Sequence, residues 1–110
     1  MSVATPVSVF AEVVAQPGKR DEVLAAARTA FAAVEEEPGT VLFSIHVSDD
    51  EPETVRFFEL YADADAKAAH SASEAVATLI GALGELIAAP PRIVVTRPVI
   101  AKGHVSDGSL

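Results

Sequence analysis

The stretch Thr40–Tyr61, TVLFSIHVSDDEPETVRFFELY, contains two segments rich in β-branched and aromatic residues on either side of an acidic segment. Thr40–Val47 and Thr54–Tyr61 have the residue types and the alternation that are typical of β-strands. The segment between them, SDDEPE, has the polar composition of a hairpin loop. The stretch therefore predicts two neighbouring antiparallel strands.

Alternation along these strands separates their side chains onto two faces of the predicted sheet. On the first strand, one face carries Val41, Phe43, Ile45 and Val47, and the other carries Leu42, Ser44 and His46. On the second strand, one face carries Val55, Phe57, Glu59 and Tyr61, and the other carries Arg56, Phe58 and Leu60. Apolar side chains thus occur on both faces.

The segments before the hairpin predict a strand followed by a helix. Val7–Val14 is rich in valine and partly alternating, as in a strand. Asp21–Glu36 has apolar residues at helical spacing, which predicts an amphipathic helix, and Pro38-Gly39 should end it.

The segments after the hairpin predict two helices and a last strand. Asp63 is placed to cap a short helix that carries His70. The spacing in Ser71–Glu74 resembles a capping box, so a second helix should start there and continue to about Ala88. Arg92–Ile100 then supplies the last strand. The order βαββαβ predicts a ferredoxin-like α+β fold, with a four-stranded antiparallel sheet and its helices on one face.

This arrangement leaves one face of the sheet without helices. Because the strands carry apolar residues on both faces, the open face would form a larger apolar patch than soluble monomers usually expose. We therefore expect a homodimer in which the open faces of two sheets pack against each other.

The length and the ends of the chain indicate how it is organised. The 110 residues are enough for one hydrophobic core, so we expect a single α+β domain over residues 1–102. Residues 103–110 are polar and contain glycine, which predicts a flexible C-terminal tail. The N-terminal MSVATPVSVF has no basic region and no long apolar run, so we expect no signal peptide and a cytoplasmic protein.

Charge and motifs exclude several classes of function. With 16 acidic and 8 basic residues the net charge is −8, which disfavours nucleic acid and anionic membrane surfaces as partners. The absence of cysteine excludes disulfides and thiolate chemistry. No phosphate-binding or nucleophile-elbow motif is present, and the three histidines form no ligand pair, so no metal is expected.

Two segments of the sequence resemble the antibiotic biosynthesis monooxygenase family. The first is Glu35–Thr40, EEEPGT, which closes the first predicted helix, and the second is Glu59–Ser73, ELYADADAKAAHSAS. The pattern consists of Pro38-Gly39-Thr40, a strand that ends in Glu59-Leu60-Tyr61, and then His70 and Ser73 on the next helix. In element order the resemblance covers approximately Val7 to Arg97.

The resemblance implies a dimeric α+β barrel with a pocket between its sheet and its helices. Enzymes of this family oxidise phenolic or quinol substrates with O₂ as co-substrate and use neither metal nor flavin, so no cofactor is expected. Haem-degrading members carry an asparagine, a tryptophan and a ligating histidine where this chain has Ala11, His70 and Ile80. Haem degradation is therefore disfavoured.

Cofactor-free oxygenation requires a base to deprotonate the substrate and an apolar enclosure to exclude water. His70 is the candidate base, since an unperturbed imidazole titrates near neutrality. Glu59 is the candidate group that orients the imidazole. Four further side chains are predicted to contact a small aromatic substrate, with a hydrogen bond from the tyrosine: Tyr61, Phe43, Phe57 and His46.

Each of these residues also has a purely structural explanation. His70 could bind a backbone carbonyl, Glu59 could form a salt bridge, and Tyr61 and the phenylalanines could belong to the core. His46, beside the acidic loop, could be a partly exposed strand residue. Two other functions thus stay open: a dimeric small-molecule binding or accessory protein without turnover, and a small-molecule isomerase, since this fold also hosts proton-transfer chemistry.

Overall fold

A computed structural model of the chain describes residues 5–103. Its elements are β1 (Val7–Val14), α1 (Arg20–Val34), β2 (Thr40–Ser48), β3 (Glu51–Tyr61), α2 (Ala64–Ser71), α3 (Glu74–Leu83) and β4 (Arg92–Thr96). The strands form one antiparallel sheet in the order β2-β3-β1-β4. The predicted ferredoxin-like α+β fold is confirmed. Of the predicted C-terminal tail, residues 104–110 lie outside the described residues.

The β2–β3 hairpin is tighter than the sequence predicted. β3 begins at Glu51 rather than at Thr54, so the connecting turn shortens to Asp49 and Asp50. The acidic residues at the start of β3 lie in a strand because each has a partner. Glu51 accepts a hydrogen bond from Arg56 at 2.8 Å, and Glu53 accepts one from the backbone of Gly18 at 3.3 Å.

Helix α1 packs on one face of the sheet through a stripe of small apolar residues. Its buried residues are Val23, Ala27, Ala30 and Val34, which recur at helical spacing. They join the core between sheet and helices with Val13, Val55, Phe57 and Leu83. The helix ends two residues earlier than predicted, and Glu35–Gly39 leads into β2.

A glycine in that connection sets how closely α2 approaches β2. A Cβ atom on Gly39 would lie 2.5 Å from the Cβ of Ala66, so only glycine fits there without movement of the helix. The Gly39 carbonyl also accepts a hydrogen bond from the backbone of Ala62 at 2.9 Å, just before α2 begins. Helix α1 therefore ends before Pro38-Gly39, and Gly39 allows α2 to pack closely beside β2.

The starts of α2 and α3 use side-chain caps. Asp63 caps α2 as predicted, with its carboxylate accepting from the backbone of Ala66 at 2.8 Å. The predicted capping box of Ser71–Glu74 is wrong, because Ser71 still belongs to α2. Ser73 caps α3 instead, and its hydroxyl accepts from the backbone of Val76 at 3.3 Å.

Helix α3 ends at Leu83 rather than near Ala88. Gly84 is its C-cap, and the chain beyond it turns toward the end of β1. There Leu86 accepts a hydrogen bond from the backbone of Gln16, and Ala88 donates one to Val14, both at 2.8 Å. These bonds replace the last helical turns, for which glycine is a poor residue. The last strand is also shorter than predicted and ends at Thr96.

The face of the sheet away from the helices is apolar at its centre, as predicted. Phe10 on β1 stacks against Phe58 on β3 with ring centroids 4.9 Å apart, and Val94 lies next to Phe10 on β4. Phe10 is 51% exposed. At one end of this face Arg56 pairs with Glu12 at 3.0 Å. We refer to the face centred on Phe10, Phe58 and Val94 as the open face.

Candidate functional site

A cavity of about 180 Å³ lies between the sheet and the helices. Its walls come mainly from apolar side chains of β1, α1, α3 and β4, and its polar side chains come from β3 and α2. Its aromatic and ionisable lining residues are Phe43, Phe57, Glu59, Tyr61, Lys67 and His70. The haem-site positions Ala11, His70 and Ile80 also line it. The pocket implied by the sequence resemblance is therefore present.

His70 lies in the last turn of α2, where it forms part of the cavity wall. The residue is only 8% exposed. Its Nδ1 atom lies 2.8 Å from Oε1 of Glu37, a residue that the sequence patterns did not single out. The hydrogen-bond partner of the ring is thus a carboxylate and not a backbone carbonyl. Because α2 approaches β2 so closely at Gly39, the imidazole reaches the connection between α1 and β2.

Glu37 is held in place from the other side. The hydroxyl of Thr40 donates to the same Oε1 atom at 2.7 Å, and the Glu37 side chain remains 21% exposed. The sequence alone does not distinguish this residue from Glu35 and Glu36, and the strand register of the structure does. Thr40 pairs with Tyr61 across the hairpin, and Tyr61 directly precedes α2, so the strand register places EEEPGT beside the helix that carries His70.

Glu59 approaches the opposite nitrogen of the His70 ring. Its Oε1 atom lies 3.8 Å from Nε2, which is too long for a direct hydrogen bond. The Tyr61 hydroxyl donates to the same oxygen of Glu59. Tyr61 was predicted to hydrogen-bond the substrate, but here its proton is used to hold Glu59. The sequence correctly placed Glu59, Tyr61 and His70 together.

Tyr61 is suited to remain a proton donor. The side chain is fully buried, and its ring centroid lies 5.1 Å from that of His70. Burial raises the pKa of Tyr61 far above its usual value, and the hydrogen bond and negative charge of Glu59, together with the charge of Glu37, raise it further. The phenol therefore stays neutral over the whole physiological range.

The phenylalanines predicted to contact an aromatic ring line the cavity beside the imidazole. The ring of Phe43 lies 5.6 Å from that of His70 and 6.0 Å from that of Phe57, measured between centroids. Both distances are within the range of favourable aromatic pairs. These rings form an apolar wall next to His70, with the planes of Phe43 and Phe57 inclined at 66°.

His46 lies outside this arrangement. It is on the other face of β2, exposed, with Nε2 2.8 Å from the hydroxyl of Ser44, and it does not line the cavity. Its register partner on β3 is Arg56. The strand alternation that put Phe43 inward puts His46 outward, so its predicted contact with the ligand is not supported by its position.

The contacts of the ring assign a role to each nitrogen of His70. When Nδ1 carries the proton and donates it to Glu37, Nε2 has a free lone pair on the side of Glu59. An oxygen atom arriving from the cavity can lie within hydrogen-bond distance of both Nε2 and the Glu59 carboxylate, because these two atoms are 3.8 Å apart. The site can therefore accept a proton from a hydroxyl group.

Metal clusters and membrane-spanning helices are both absent from the described residues. Within residues 5–103, no group of three or more histidine, aspartate or glutamate side chains is arranged to hold a metal ion. No helix in the same range is long and apolar enough to span a bilayer.

The chain is similar to one known protein family and to several solved structures. A family model for antibiotic biosynthesis monooxygenase matches residues 6–81. A crystal structure of a protein from Shewanella oneidensis shares 26% identity at a TM-score of 0.83, covering 88% of this chain and 94% of that one. A protein from Caulobacter crescentus that carries the antibiotic biosynthesis monooxygenase name shares 26% sequence identity at a TM-score of 0.82. The match covers 89% of this chain and 93% of that one.

A third structure, of a protein from Mycobacterium tuberculosis, is similar in fold, with 23% identity and a TM-score of 0.84. The match covers 90% of this chain and 100% of that one. No curated protein matches the sequence. The structural matches agree with the ferredoxin-like α+β fold described above.

Proposed function

Because the chain belongs to the antibiotic biosynthesis monooxygenase family, we propose that it is a cofactor-independent monooxygenase or quinol oxidase that uses O₂ to oxidise a small aromatic hydroxyl compound. The observation that carries this proposal is the buried His70, whose Nδ1 binds Glu37 and whose Nε2 faces Glu59 at an apolar cavity. Such chemistry requires a base and an apolar site, and the imidazole at the cavity, its apolar lining and the neighbouring phenylalanines support the proposal.

In the first step, Nε2 of His70 takes the proton of the substrate hydroxyl. Glu37 holds the opposite proton at Nδ1, so the free lone pair is on the nitrogen that faces the cavity. As the ring becomes an imidazolium, the negative charge of Glu37 offsets its positive charge. This arrangement is the one in which a carboxylate orients a histidine base.

In the second step, the substrate anion supplies the electrons. It passes one electron to O₂, and the resulting radical pair combines at a ring carbon to form a peroxide. The proton held by His70 is returned to the peroxide, and the hydrogen on the attacked ring carbon leaves as a proton while the O–O bond breaks. One oxygen then remains as the quinone carbonyl, and the other leaves as hydroxide that takes up the released proton to form water. A quinol would instead lose two electrons and two protons, and O₂ would leave as hydrogen peroxide.

Phe43 and Phe57 support these steps by excluding water and by lying against the substrate ring. Tyr61 acts through Glu59. Its hydroxyl fixes the carboxylate beside Nε2 of His70, next to the place where the substrate hydroxyl would lie. In this proposal Glu59 positions the substrate and His70 carries the proton.

Oxygen uptake with a panel of quinols and anthrols tests the proposal. His70→Ala should lower the rate by about a hundredfold or more, the usual contribution of a general base. His46→Ala is a matched control, because it removes an exposed histidine from the other face of the neighbouring strand. Uptake that is equal in the wild type and His70→Ala would remove His70 from the mechanism.

We further propose that the protein is a homodimer through the open face. The apolar centre formed by Phe10, Phe58 and Val94 supports this assembly, because side chains of this size are rarely left exposed in a patch on monomers. A twofold axis through this face would bring the same patch of both subunits together.

A small-molecule isomerase is the second candidate. It is supported by the two acid–base groups, His70 Nε2 and Glu59 Oε1, that lie 3.8 Å apart and could take and return a proton on the same substrate. Product formation without O₂ would identify this activity. Ligand binding with neither isomerisation nor O₂ consumption would instead identify a binding or accessory protein.

A further inference from the structure

One cationic side chain lines the cavity and plays no part in the chemistry proposed above. Among the polar residues of the cavity wall, Glu59, Tyr61 and His70 contact one another. Lys67, on α2, also lines the cavity, and its contacts differ from theirs. The presence of an ammonium group in this largely apolar cavity calls for an explanation.

The ammonium group of Lys67 has one polar partner among the described residues. Nζ donates to the hydroxyl of Ser71 at 3.3 Å, and no carboxylate oxygen of residues 5–103 lies within salt-bridge distance. The side chain is half-buried. In a chain with 16 acidic and 8 basic residues, a half-buried lysine without an acidic partner stands out. An ammonium has three donors, so two remain for a ligand.

Lys67 and His70 lie on the same face of α2. Residues three apart on a helix have Cβ atoms about 5–6 Å apart, so one small ligand can reach both side chains. The bond from Nζ to Ser71, which follows His70, directs the ammonium along the helix toward the end that carries the imidazole. A ligand whose hydroxyl meets His70 would therefore have its other end near the ammonium.

The size of the cavity limits that ligand. Its volume is about 180 Å³. An apolar cavity of about 150 Å³ is known to hold a benzene molecule. One aromatic ring with small substituents therefore fits this volume, and a polar substituent can reach Lys67 in the cavity wall.

We propose that the ligand of this cavity is a monocyclic aromatic hydroxy acid, with its hydroxyl at His70 and its carboxylate paired with Lys67. The inference rests on the proposed function for the role of the hydroxyl, and it adds the anionic group. The strongly acidic chain repels anions in general, so selectivity for an acid requires a local cation, and Lys67 is the cation that lines the cavity. A hydrogen-bonded pair with a charged group in a partly buried site favours the acid over a neutral ligand of the same shape.

Binding of 4-hydroxybenzoate and 4-hydroxybenzamide, measured by titration calorimetry at pH 7 without O₂, tests the inference. The two probes have the same ring and hydroxyl, but only the first is an anion. We expect the acid to bind about tenfold more tightly than the amide, as for a hydrogen bond to a charged group. Added salt should weaken binding of the acid and leave that of the amide unchanged.

Two variants assign the difference to Lys67. Lys67→Gln should abolish the preference for the acid and leave the amide affinity unchanged, which also shows that the cavity is intact. Lys102→Gln removes the same charge from an exposed residue that does not line the cavity, so it should keep the preference. Loss of the preference in both variants would assign it to net charge and overturn the inference.

The remaining outcomes separate this inference from the proposed function. Equal affinity of the wild type for the acid and the amide, or a preference that survives in Lys67→Gln, overturns the role of Lys67. Failure of both probes to bind overturns the aromatic hydroxy acid as ligand. Oxygen uptake with neutral quinols, lost in His70→Ala, would in either case still support the proposed function.

Discussion

Nδ1 of His70 lies 2.8 Å from Oε1 of Glu37, a residue 33 positions earlier in the chain. The contact joins the last turn of α2 to the connection between α1 and β2, and Thr40 fixes the carboxylate from the other side. Because a carboxylate only accepts hydrogen bonds, it favours the tautomer with the proton on Nδ1 and a free lone pair on Nε2. In the proposed mechanism Glu37 is thus a positioning residue for His70.

Replacement of this carboxylate by an amide should slow the reaction. Glu37→Gln keeps the size of the side chain, but the amide can donate to Nδ1 and favour the wrong tautomer, so we expect a loss of kcat of about a hundredfold or more. Glu37→Asp should retain part of the activity, and its pH profile should shift because the contact to the ring is altered. Steady-state O₂ uptake measured from about pH 5 to 9, a range around the usual imidazole pKa, gives both quantities.

Glu36→Gln is the matched control, since it makes the same change at an exposed neighbouring residue. Its kcat should equal that of the wild type. Equal losses in both variants would indicate a general effect of charge and contradict the role of Glu37.

Tyr61 should resist ionisation far into the alkaline range. It is the single tyrosine in the sequence, and tryptophan is absent, so tyrosinate absorbance reports on Tyr61 alone. Because burial and Glu59 raise its pKa in the folded state, the absorbance should not rise until the protein unfolds. Titration of the folded protein near the ordinary tyrosine pKa of about 10 would contradict the buried hydrogen bond.

The same shift makes stability depend on pH. Above about pH 10 the unfolded chain loses the tyrosine proton and the folded chain keeps it, so the free energy of unfolding falls by about 1.4 kcal/mol per pH unit from this group. Tyr61→Phe should remove that part of the slope. Urea denaturation of both proteins between about pH 9 and 11, around this value, measures the difference.

A methyl group on Gly39 should weaken the contact of His70 with Glu37 by moving helix α2. Its Cβ would lie 2.5 Å from the Cβ of Ala66, so α2 must move away from β2. We expect Gly39→Ala to lower the free energy of unfolding by about 1–3 kcal/mol, the usual cost of overpacking, and to weaken the contact of His70 with Glu37. Chemical denaturation and the NMR shifts of the His70 ring report the two effects.

Two further variants check the cause. Ala66→Gly in the Gly39→Ala background makes room for the new methyl group and should restore the ring signals. Gly81→Ala, inside α3 with open space where the new Cβ would lie, should instead stabilise the protein by about 0.5–1 kcal/mol. Loss of the ring signals that persists in the double variant would point away from the contact with Ala66.

The open face should control assembly. Phe10→Asp places a charge at the centre of this face, so it should convert the expected dimer to a monomer at low micromolar concentration, as measured by analytical ultracentrifugation. Val47→Asp is the matched control, because Val47 is 50% exposed and Phe10 is 51% exposed. Val47 lies on the helix-bearing side of the sheet, so the new charge is outside the open face. It should remain dimeric. A wild-type monomer at that concentration would contradict the proposed assembly.

The sequence was most informative where local patterns agree with the tertiary structure. The alternation in β3 placed Glu59 and Tyr61 on the helix-bearing face, and Asp63 marked the start of α2. Together with the family pattern these residues led to the prediction of His70 as the candidate base, and the structure places His70 beside Glu59 and Tyr61 at the cavity. Helical and strand periodicity alone sufficed for the βαββαβ order.

The errors have physical causes that act over long distances. The apolar pattern of α3 continues past Leu83, but bonds from Leu86 and Ala88 to the end of β1 replace the helix, and no local signal shows them. Glu37 was missed because three adjacent glutamates look alike in sequence. Only the strand register between Thr40 and Tyr61 selects the one that faces the imidazole.

The acid–base residues and the outer walls of the cavity come from different consecutive parts of the chain. Glu37, Glu59, Tyr61 and His70 all belong to residues 37–71, whereas the apolar side chains of α3 and β4 belong to residues 76–93. Replacing residues 76–93 could therefore change the outer walls of the cavity so that it admits larger compounds. Under the proposed mechanism, the residues that handle the proton would be kept in such a chimera while the shape of the cavity is changed.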